Sequence, residues 1–146
     1  MRRTFLKHVA GGVFAAMLAE LAAPACAADP IKVVYHLTEG IDQATRALSN
    51  IRNHLRADPD VRITVVANGD GIRFLLQGAK DRAGKPFDAA VAALVSQGVE
   101  FLVCSNTLIA HDIAQSSVLP QAKLTPSGVV EVARLQAREG FVYLRP

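Results

Sequence analysis

The sequence predicts a single three-layer α/β/α domain, in which helices cover both faces of a mostly parallel sheet. Short runs rich in β-branched residues alternate along the chain with segments in which apolar residues recur every three or four positions, the pattern of successive strand–helix–strand units. The strand-like runs are almost continuously apolar, as strands buried on both faces are. With 146 residues, of which 51% are hydrophobic and 20% charged, the chain is long enough for one domain and too apolar to be disordered.

The first predicted elements are two strands with an amphipathic helix between them. Residues 31–36 predict the first strand, and residues 61–67 predict the second. Apolar residues at intervals of three and four positions form one stripe of a helix over residues 41–55, and the Asp-Pro-Asp sequence at 58–60 ends it. A short apolar run over residues 72–76, inside a glycine-containing stretch, predicts a short helix.

The second half of the chain continues the alternation and completes five strands. Pro86 suits the first turn of a helix, and Gly98 suits its C-terminal end, because proline favours the start of a helix and glycine its stop. The remaining predicted elements are, in chain order, a strand over 99–104, a short helix over 108–114, a short strand over 122–124, a helix between Thr125 and Gly140, and a strand over 141–144.

Residues 1–27 differ from the rest of the chain and predict an export signal. The basic sequence Arg2-Arg3-Thr4-Phe5-Leu6-Lys7 precedes an apolar stretch over residues 9–19, and Ala25-Cys26-Ala27 matches the pattern at which such signals are cleaved,. The apolar stretch is shorter than the roughly 20 residues that a membrane-spanning helix needs. The paired arginines and the residues after them favour the twin-arginine route over general secretion, which is the alternative.

Cleavage after Ala27 would release residues 28–146 into the periplasm as a domain of 119 residues without membrane association. Lipidation of Cys26 is the alternative, although residues 23–25 lack the large aliphatic residue that usually precedes such a cysteine. The periplasm is an oxidising compartment. The released domain would contain one cysteine, Cys104, and could therefore form no internal disulfide.

The basic character of the chain lies largely in this leader. The 16 Lys and Arg residues against 13 Asp and Glu residues give a net charge of +3, and cleavage would leave the domain nearly neutral. No run of basic residues interleaved with aromatic residues remains to form a nucleic-acid surface. We therefore predict no nucleic-acid partner.

Three polar residues fall where predicted strands end, and ligands of parallel sheets bind beyond the carboxyl ends of the strands. They are His36, Asn68 and Cys104, with Asn68 a candidate ligand-binding residue. Cys104 also precedes a short helix, whose N-terminal N–H groups could stabilise a thiolate. Such a thiolate could attack a sulfur donor and hold a persulfide. The alternative is a buried and inert cysteine.

The histidines carry weaker predictions. His36 could lower the pKa of Cys104 or donate a proton to a leaving group, and a structural core histidine is the alternative. His111, beside Asp112, could orient a ligand or simply lie on an exposed helix. No close pair of ligands links His36, Cys104 and His111, so we predict no metal site.

Two glycine-containing segments fall short of nucleotide-binding motifs, so we predict no cofactor. Phe74 stands where the third glycine of a dinucleotide-binding loop belongs,. Pro86 replaces the hydroxyl residue that follows the lysine of a phosphate-binding loop,.

Taken together and in order, several segments resemble the DsrE/DsrF-like family of intracellular sulfur-oxidation proteins. They are VVYH at 33–36, LSNIRNH at 48–54, GVEF at 98–101, CSNTL at 104–108, PSGV at 126–129 and GFVYLRP at 140–146. The resemblance implies a five-stranded parallel sheet of the flavodoxin-like or Rossmann-like kind and a ring-like homotrimer or hexamer.

Some members of that family are sulfur carriers whose strand-end cysteine holds a persulfide, and Cys104 is the position that would take this role. Asn106 and Thr107 would lie beside it in the same motif and bind the ligand. The leading hypothesis is an exported, oligomeric sulfur-handling protein with a sulfur donor or acceptor protein as partner, a carrier rather than a turnover enzyme. The alternative is a non-catalytic small-ligand or protein-binding module in which Cys104 is structural.

Overall fold

The computed structural model describes residues 29–146, so the proposed leader and its cleavage site lie outside the described residues. A five-stranded sheet forms the centre, in the order β4-β3-β2-β1-β5, and each neighbouring pair is parallel. The strands are β1 (Lys32–Leu37), β2 (Arg62–Ala67), β3 (Glu100–Cys104), β4 (Lys123–Thr125) and β5 (Val142–Leu144). The α/β fold with a parallel sheet is confirmed.

Four α-helices and two 3₁₀ segments connect the strands in the described part of the chain. The helices are α1 (Ile41–Ala57), α2 (Asp88–Val95), α3 (Ser105–Ala110) and α4 (Gly128–Glu139). The 3₁₀ segments are Gly69–Leu75 and Gln115–Ser117. Within residues 29–146, none of the helices combines the length and hydrophobicity needed to cross a bilayer.

Two short helices differ from their predicted form. The helix predicted over residues 72–76 is the end of the 3₁₀ segment Gly69–Leu75. The helix predicted over residues 108–114 is α3, which begins directly after Cys104 and ends at Ala110. It ends there because Asp112 adopts a left-handed backbone with φ of 51°, which a right-handed helix cannot continue.

The sheet buries a different core on each face because successive side chains of a strand point to opposite sides. On one face, β1 residues such as Val33, Tyr35 and Leu37 pack with α1 and α2. The other face forms a smaller core against α4. Its buried members are Val34, Val66, Leu102, Val132 and Leu135. The helix α4 therefore lies over the centre of the sheet, and its first turn reaches the carboxyl ends of β2 and β3.

The segment Gly69–Leu75 crosses closely over the end of β1. A Cβ on Gly71 would lie 2.1 Å from the carbonyl oxygen of Leu37 and 2.8 Å from the backbone nitrogen of Thr38. Backbone atoms cannot move aside as a flexible side chain can, so this position accepts no side chain. Gly71 thereby lets the loop after β2 pack directly on the loop after β1.

We predict that Gly71→Ala destabilises the domain by about 3 kcal/mol or more, because the methyl group would force the two backbones apart. Urea unfolding followed by circular dichroism measures the loss as a lower midpoint. Gly40→Ala is the matched control, since a Cβ there meets nothing within 4 Å and its cost at a helix N-cap is about 1 kcal/mol. Equal midpoints for the two variants would contradict the close approach.

Candidate functional site

His36, Asn68 and Cys104 lie on the same face of the sheet, at its carboxyl edge. Each stands two residues after a member of the small core under α4. Those core residues are Val34, Val66 and Leu102. Since side chains two apart in a strand share a face, all three polar side chains lie on the face of the sheet that α4 covers, and Asn68 and Cys104 lie against Gly128 at the start of that helix. The pairing of Ala67 with Val103 places Asn68 next to Cys104 across the sheet.

A chain of hydrogen bonds runs from β5 to Asn68. The Nε2 atom of His36 lies 2.8 Å from Oδ1 of Asn68, and Nδ1 lies 3.1 Å from the hydroxyl of Tyr143. An amide oxygen accepts only, so Nε2 carries the hydrogen and donates, and Nδ1 accepts from the tyrosine hydroxyl. The rings of His36 and Tyr143 also pack edge to face, with centroids 5.7 Å apart.

Cys104 lies at the junction of a strand with two helix N-termini. It is the last residue of β3 and the N-cap residue of α3, with an extended backbone at φ −70° and ψ 114°. It is also beside Gly128, the first residue of α4. The residue is 5% exposed, and it is the only cysteine in residues 29–146. Partial positive charge from both helix ends favours an anion at this position.

Burial and hydrogen bonding act in opposite directions on the Cys104 thiol. Burial raises its pKa, but the Thr107 hydroxyl and the N–H groups of Gly128, Thr107 and Asn106 together lower that pKa below the ordinary value of a thiol. The neutral thiol makes no capping hydrogen bond to α3, so these donors act mainly on the thiolate. The site is therefore built to hold negative charge on Sγ.

Thr107 connects the thiol with the loop after β2. The backbone N–H of Gly69 donates to Oγ1 of Thr107 at 3.1 Å, which leaves the hydroxyl hydrogen free to be directed at Cys104. The side chain is 9% exposed, so little water competes with these contacts. Thr107 therefore lies beside the thiol, and its hydroxyl lowers the pKa of Cys104.

Gly128 is the point at which α4 approaches the site. A Cβ at this position would lie 3.1 Å from Cβ of Asn68 and 3.4 Å from Cβ of Cys104, closer than side chains normally pack. The absence of a side chain brings the N-terminus of α4 against both residues.

The structure gathers some of the predicted site residues and not others. His36 reaches Asn68 and Tyr143, but it is not among the groups that lower the pKa of Cys104. Asn106 contributes its backbone N–H, which also donates to the carbonyl of Pro126 at 3.2 Å, while its side chain is exposed.

His111 lies apart from these residues. It is exposed and follows the last residue of α3, at the opposite end of that helix from Cys104. Within residues 29–146, no three His, Cys, Asp or Glu side chains are grouped as metal ligands, so His36, Cys104 and His111 do not form such a cluster.

Sequence reasoning missed Tyr143. The residue lies in the predicted last strand, but the sequence does not say which strand it pairs with. In the structure Tyr143 pairs with Val34 of β1, which places the tyrosine on the same face as His36. The alternation of side chains along β5 would have identified it once that pairing was known.

We predict that Thr107→Val raises the pKa of Cys104, because it removes a donor that stabilises the thiolate. A hydrogen bond to a charged group contributes enough to shift the midpoint by about one pH unit. The rate of iodoacetamide alkylation, measured against pH, gives this midpoint. Thr107→Ser is the matched control, since it keeps the hydroxyl and should keep the midpoint. A Thr107→Val profile that coincides with that of the unmodified protein would contradict the assignment.

Comparisons with known proteins agree with this architecture. The chain matches the model of the DsrE/DsrF-like family over residues 15–145. Among solved structures it is similar to a protein of unknown function, MTH1491 from Methanobacterium thermoautotrophicum, with 33% identity, a TM-score of 0.71, and coverage of 80% of this chain and 99% of that one.

The ychN protein of E. coli is similar in fold, at 15% identity and a TM-score of 0.64, with coverage of 81% of this chain and 99% of that one. No curated protein matches the chain. The family match spans most of the sequence and includes every residue of the site described above. The chain belongs to the DsrE/DsrF-like family.

Proposed function

We propose that the protein is an exported sulfur carrier in which Cys104 accepts a sulfane sulfur atom and holds it as a persulfide. Membership of the DsrE/DsrF-like family supports a role of the sulfur-relay type. The observation that carries the finer proposal is the set of donors around the buried Cys104, namely the Thr107 hydroxyl and three backbone N–H groups, which lower the pKa of its thiol. The thiolate is the nucleophilic form of cysteine, so these donors prepare the residue to attack.

The transfer needs no cofactor and balances in atoms and electrons. The Cys104 thiolate attacks the outer sulfur of a donor persulfide, and a bond forms between Sγ and that sulfur. The sulfur–sulfur bond of the donor breaks, and its electron pair leaves with the donor as a thiolate. Delivery is the reverse reaction: an acceptor thiolate attacks the outer sulfur of the Cys104 persulfide, and Sγ leaves as a thiolate. The hydrogen-bond donors around Cys104 stabilise this departing thiolate.

The access to Cys104 favours a slender donor. The residue is only 5% exposed, which favours a small polysulfide or the persulfide at the tip of a partner protein's loop over a broad substrate. A sulfur donor or acceptor protein is therefore the proposed partner.

The second candidate is a non-catalytic binding module in which Cys104 is structural, and the same low exposure supports it. A structural cysteine behaves as a small apolar residue. In that case Cys104→Ala would leave ligand or partner affinity intact. A carrier would lose all transfer with that substitution, because no other cysteine lies in residues 29–146.

We further propose that export proceeds through residues 1–27 as a twin-arginine signal and that the released domain, residues 28–146, works in the periplasm as a homotrimer or hexamer. Large apolar side chains that flank the site support self-association. Val129 and Val130 in the first turn of α4 are 58% and 64% exposed, and Ile109 in α3 is 75% exposed. A second subunit over this surface would shield the thiol from solvent.

We predict that the purified domain gains about 32 Da, the mass of one sulfur atom, after treatment with inorganic polysulfide under anaerobic conditions. Prior alkylation of Cys104 should abolish the gain, and Cys104→Ser is the matched control that should show none. Intact-mass spectrometry measures both. A folded protein whose thiol resists iodoacetamide near neutral pH and takes up no sulfur would reject the carrier role.

We predict that light scattering gives the domain a mass of three or six subunits at micromolar concentration. Val130→Asp should lower this mass, because assembly would bury an unpaired carboxylate at a high cost in free energy. Ile31→Asp is the control, since Ile31 is equally apolar and 56% exposed but precedes β1, at the opposite edge of the sheet. A monomeric mass for the unmodified domain would refute the assembly.

A further inference from the structure

We propose that the amide of Asn68 binds the outer sulfur of the Cys104 persulfide, and that His36 and Tyr143 hold this amide in the required orientation. The inference rests on the proposed function and adds a second sulfur position to the site. Thr107 and the backbone N–H groups would hold Sγ, and Asn68 would hold the transferred atom.

The orientation of Asn68 follows from the order of the strands. Asn68 lies at the end of β2, between His36 of β1 and Cys104 of β3. Its Oδ1 accepts from Nε2 of His36 at 2.8 Å, on the β1 side. The amide group is planar, and its oxygen and nitrogen diverge from the same carbon. Nδ2 therefore points away from β1, toward the side on which Cys104 lies.

Tyr143 holds the imidazole from its other side. Oδ1 of Asn68 only accepts, so Nε2 of His36 is the donor in their hydrogen bond, while Nδ1 bonds the Tyr143 hydroxyl at 3.1 Å,. With a donor facing it, Asn68 presents its oxygen to His36 and keeps both N–H groups of Nδ2 for another partner.

No described residue takes up these two donors. Within residues 29–146, the hydrogen bond to His36 is the single bond of the Asn68 side chain, and Nδ2 is not enclosed in the protein interior. Asn68 is also not among the groups that act on Sγ of Cys104. The free donors are therefore available to an atom beyond Sγ.

Gly128 lies directly against Asn68 and Cys104. A Cβ at this position would lie only 3.1 Å from Cβ of Asn68 and 3.4 Å from Cβ of Cys104, so any larger residue would crowd both the Asn68 side chain and the thiol. A sulfur bonded to Sγ would lie about 2 Å from it. The negative charge of a persulfide anion resides on this outer sulfur, which is an acceptor for N–H donors. The free N–H groups of Nδ2 are the donors that such a second sulfur would meet.

The test compares two properties of Cys104 in Asn68→Ala. One is the concentration of inorganic tetrasulfide at which half of Cys104 carries an extra sulfur, measured by intact mass. The other is the alkylation rate of the sulfur-free thiol. We expect the half-saturating concentration to rise about tenfold, as for the loss of one hydrogen bond to an anion, while the alkylation rate changes less than about threefold, because the donors around Sγ remain.

Tyr143→Phe removes the hydrogen bond that Tyr143 makes to His36 and leaves the Asn68 amide itself unchanged. It therefore tests whether the tyrosine helps to orient the amide. It should raise the half-saturating concentration severalfold, and this effect should vanish in the Asn68→Ala background, because the tyrosine acts through Asn68. Tyr35→Phe is the matched control. It also removes a tyrosine–histidine hydrogen bond, of 3.0 Å to His54, but it lies on the opposite face of β1 and should leave sulfur uptake unchanged.

The outcomes separate this inference from the proposed function. If the unmodified protein takes up no sulfur, the carrier function fails. If it does, and Asn68→Ala binds sulfur equally well or loses thiol reactivity to the same degree, the role of Asn68 is refuted and the carrier function stands. If a urea titration shows that Asn68→Ala does not fold, Tyr143→Phe becomes the deciding variant. An unchanged half-saturating tetrasulfide concentration in Tyr143→Phe would then refute the role of Asn68.

Discussion

The site depends on the common direction of the five strands. Because every neighbouring pair in the sheet is parallel, the carboxyl ends of the strands and the N-termini of the following helices meet at one edge. Cys104 lies at this edge, beside the first residues of α3 and α4. The Thr107 hydroxyl and the N–H groups at those helix ends lower the pKa of its thiol despite burial, which would raise it,. An antiparallel β3 would separate the thiol from these donors.

Strand alternation then decides which residues share the site. His36, Asn68 and Cys104 each lie two residues after a buried residue of the core that faces α4. All three therefore lie on the face of the sheet that α4 covers. Two glycines make the arrangement tight. Gly71 lets the loop after β2 pack on the end of β1, and Gly128 brings α4 against Asn68 and Cys104. The packing of the domain and the arrangement of the site thus both depend on close backbone contacts at these two glycines.

The sequence predicted all five strands and the sheet edge at which Cys104 lies, because long apolar runs and their periodicity are strong local signals. It did not predict the 3₁₀ form of Gly69–Leu75, which depends on the contact of Gly71 with the backbone of Leu37. It also missed Tyr143, whose place beside His36 follows from the pairing of β5 with β1. Both features come from contacts between residues distant in sequence, which periodicity does not record.

Cys104 is proposed to carry sulfur in the cell. The most direct test is the intact mass of the protein purified from its native host, without reductant and with thiols trapped by alkylation. The proposed export and carrier function predict a chain that begins at Ala28 and in which part of the population carries one additional sulfur on Cys104. A population in which Cys104 is entirely an unmodified thiol would contradict the carrier function.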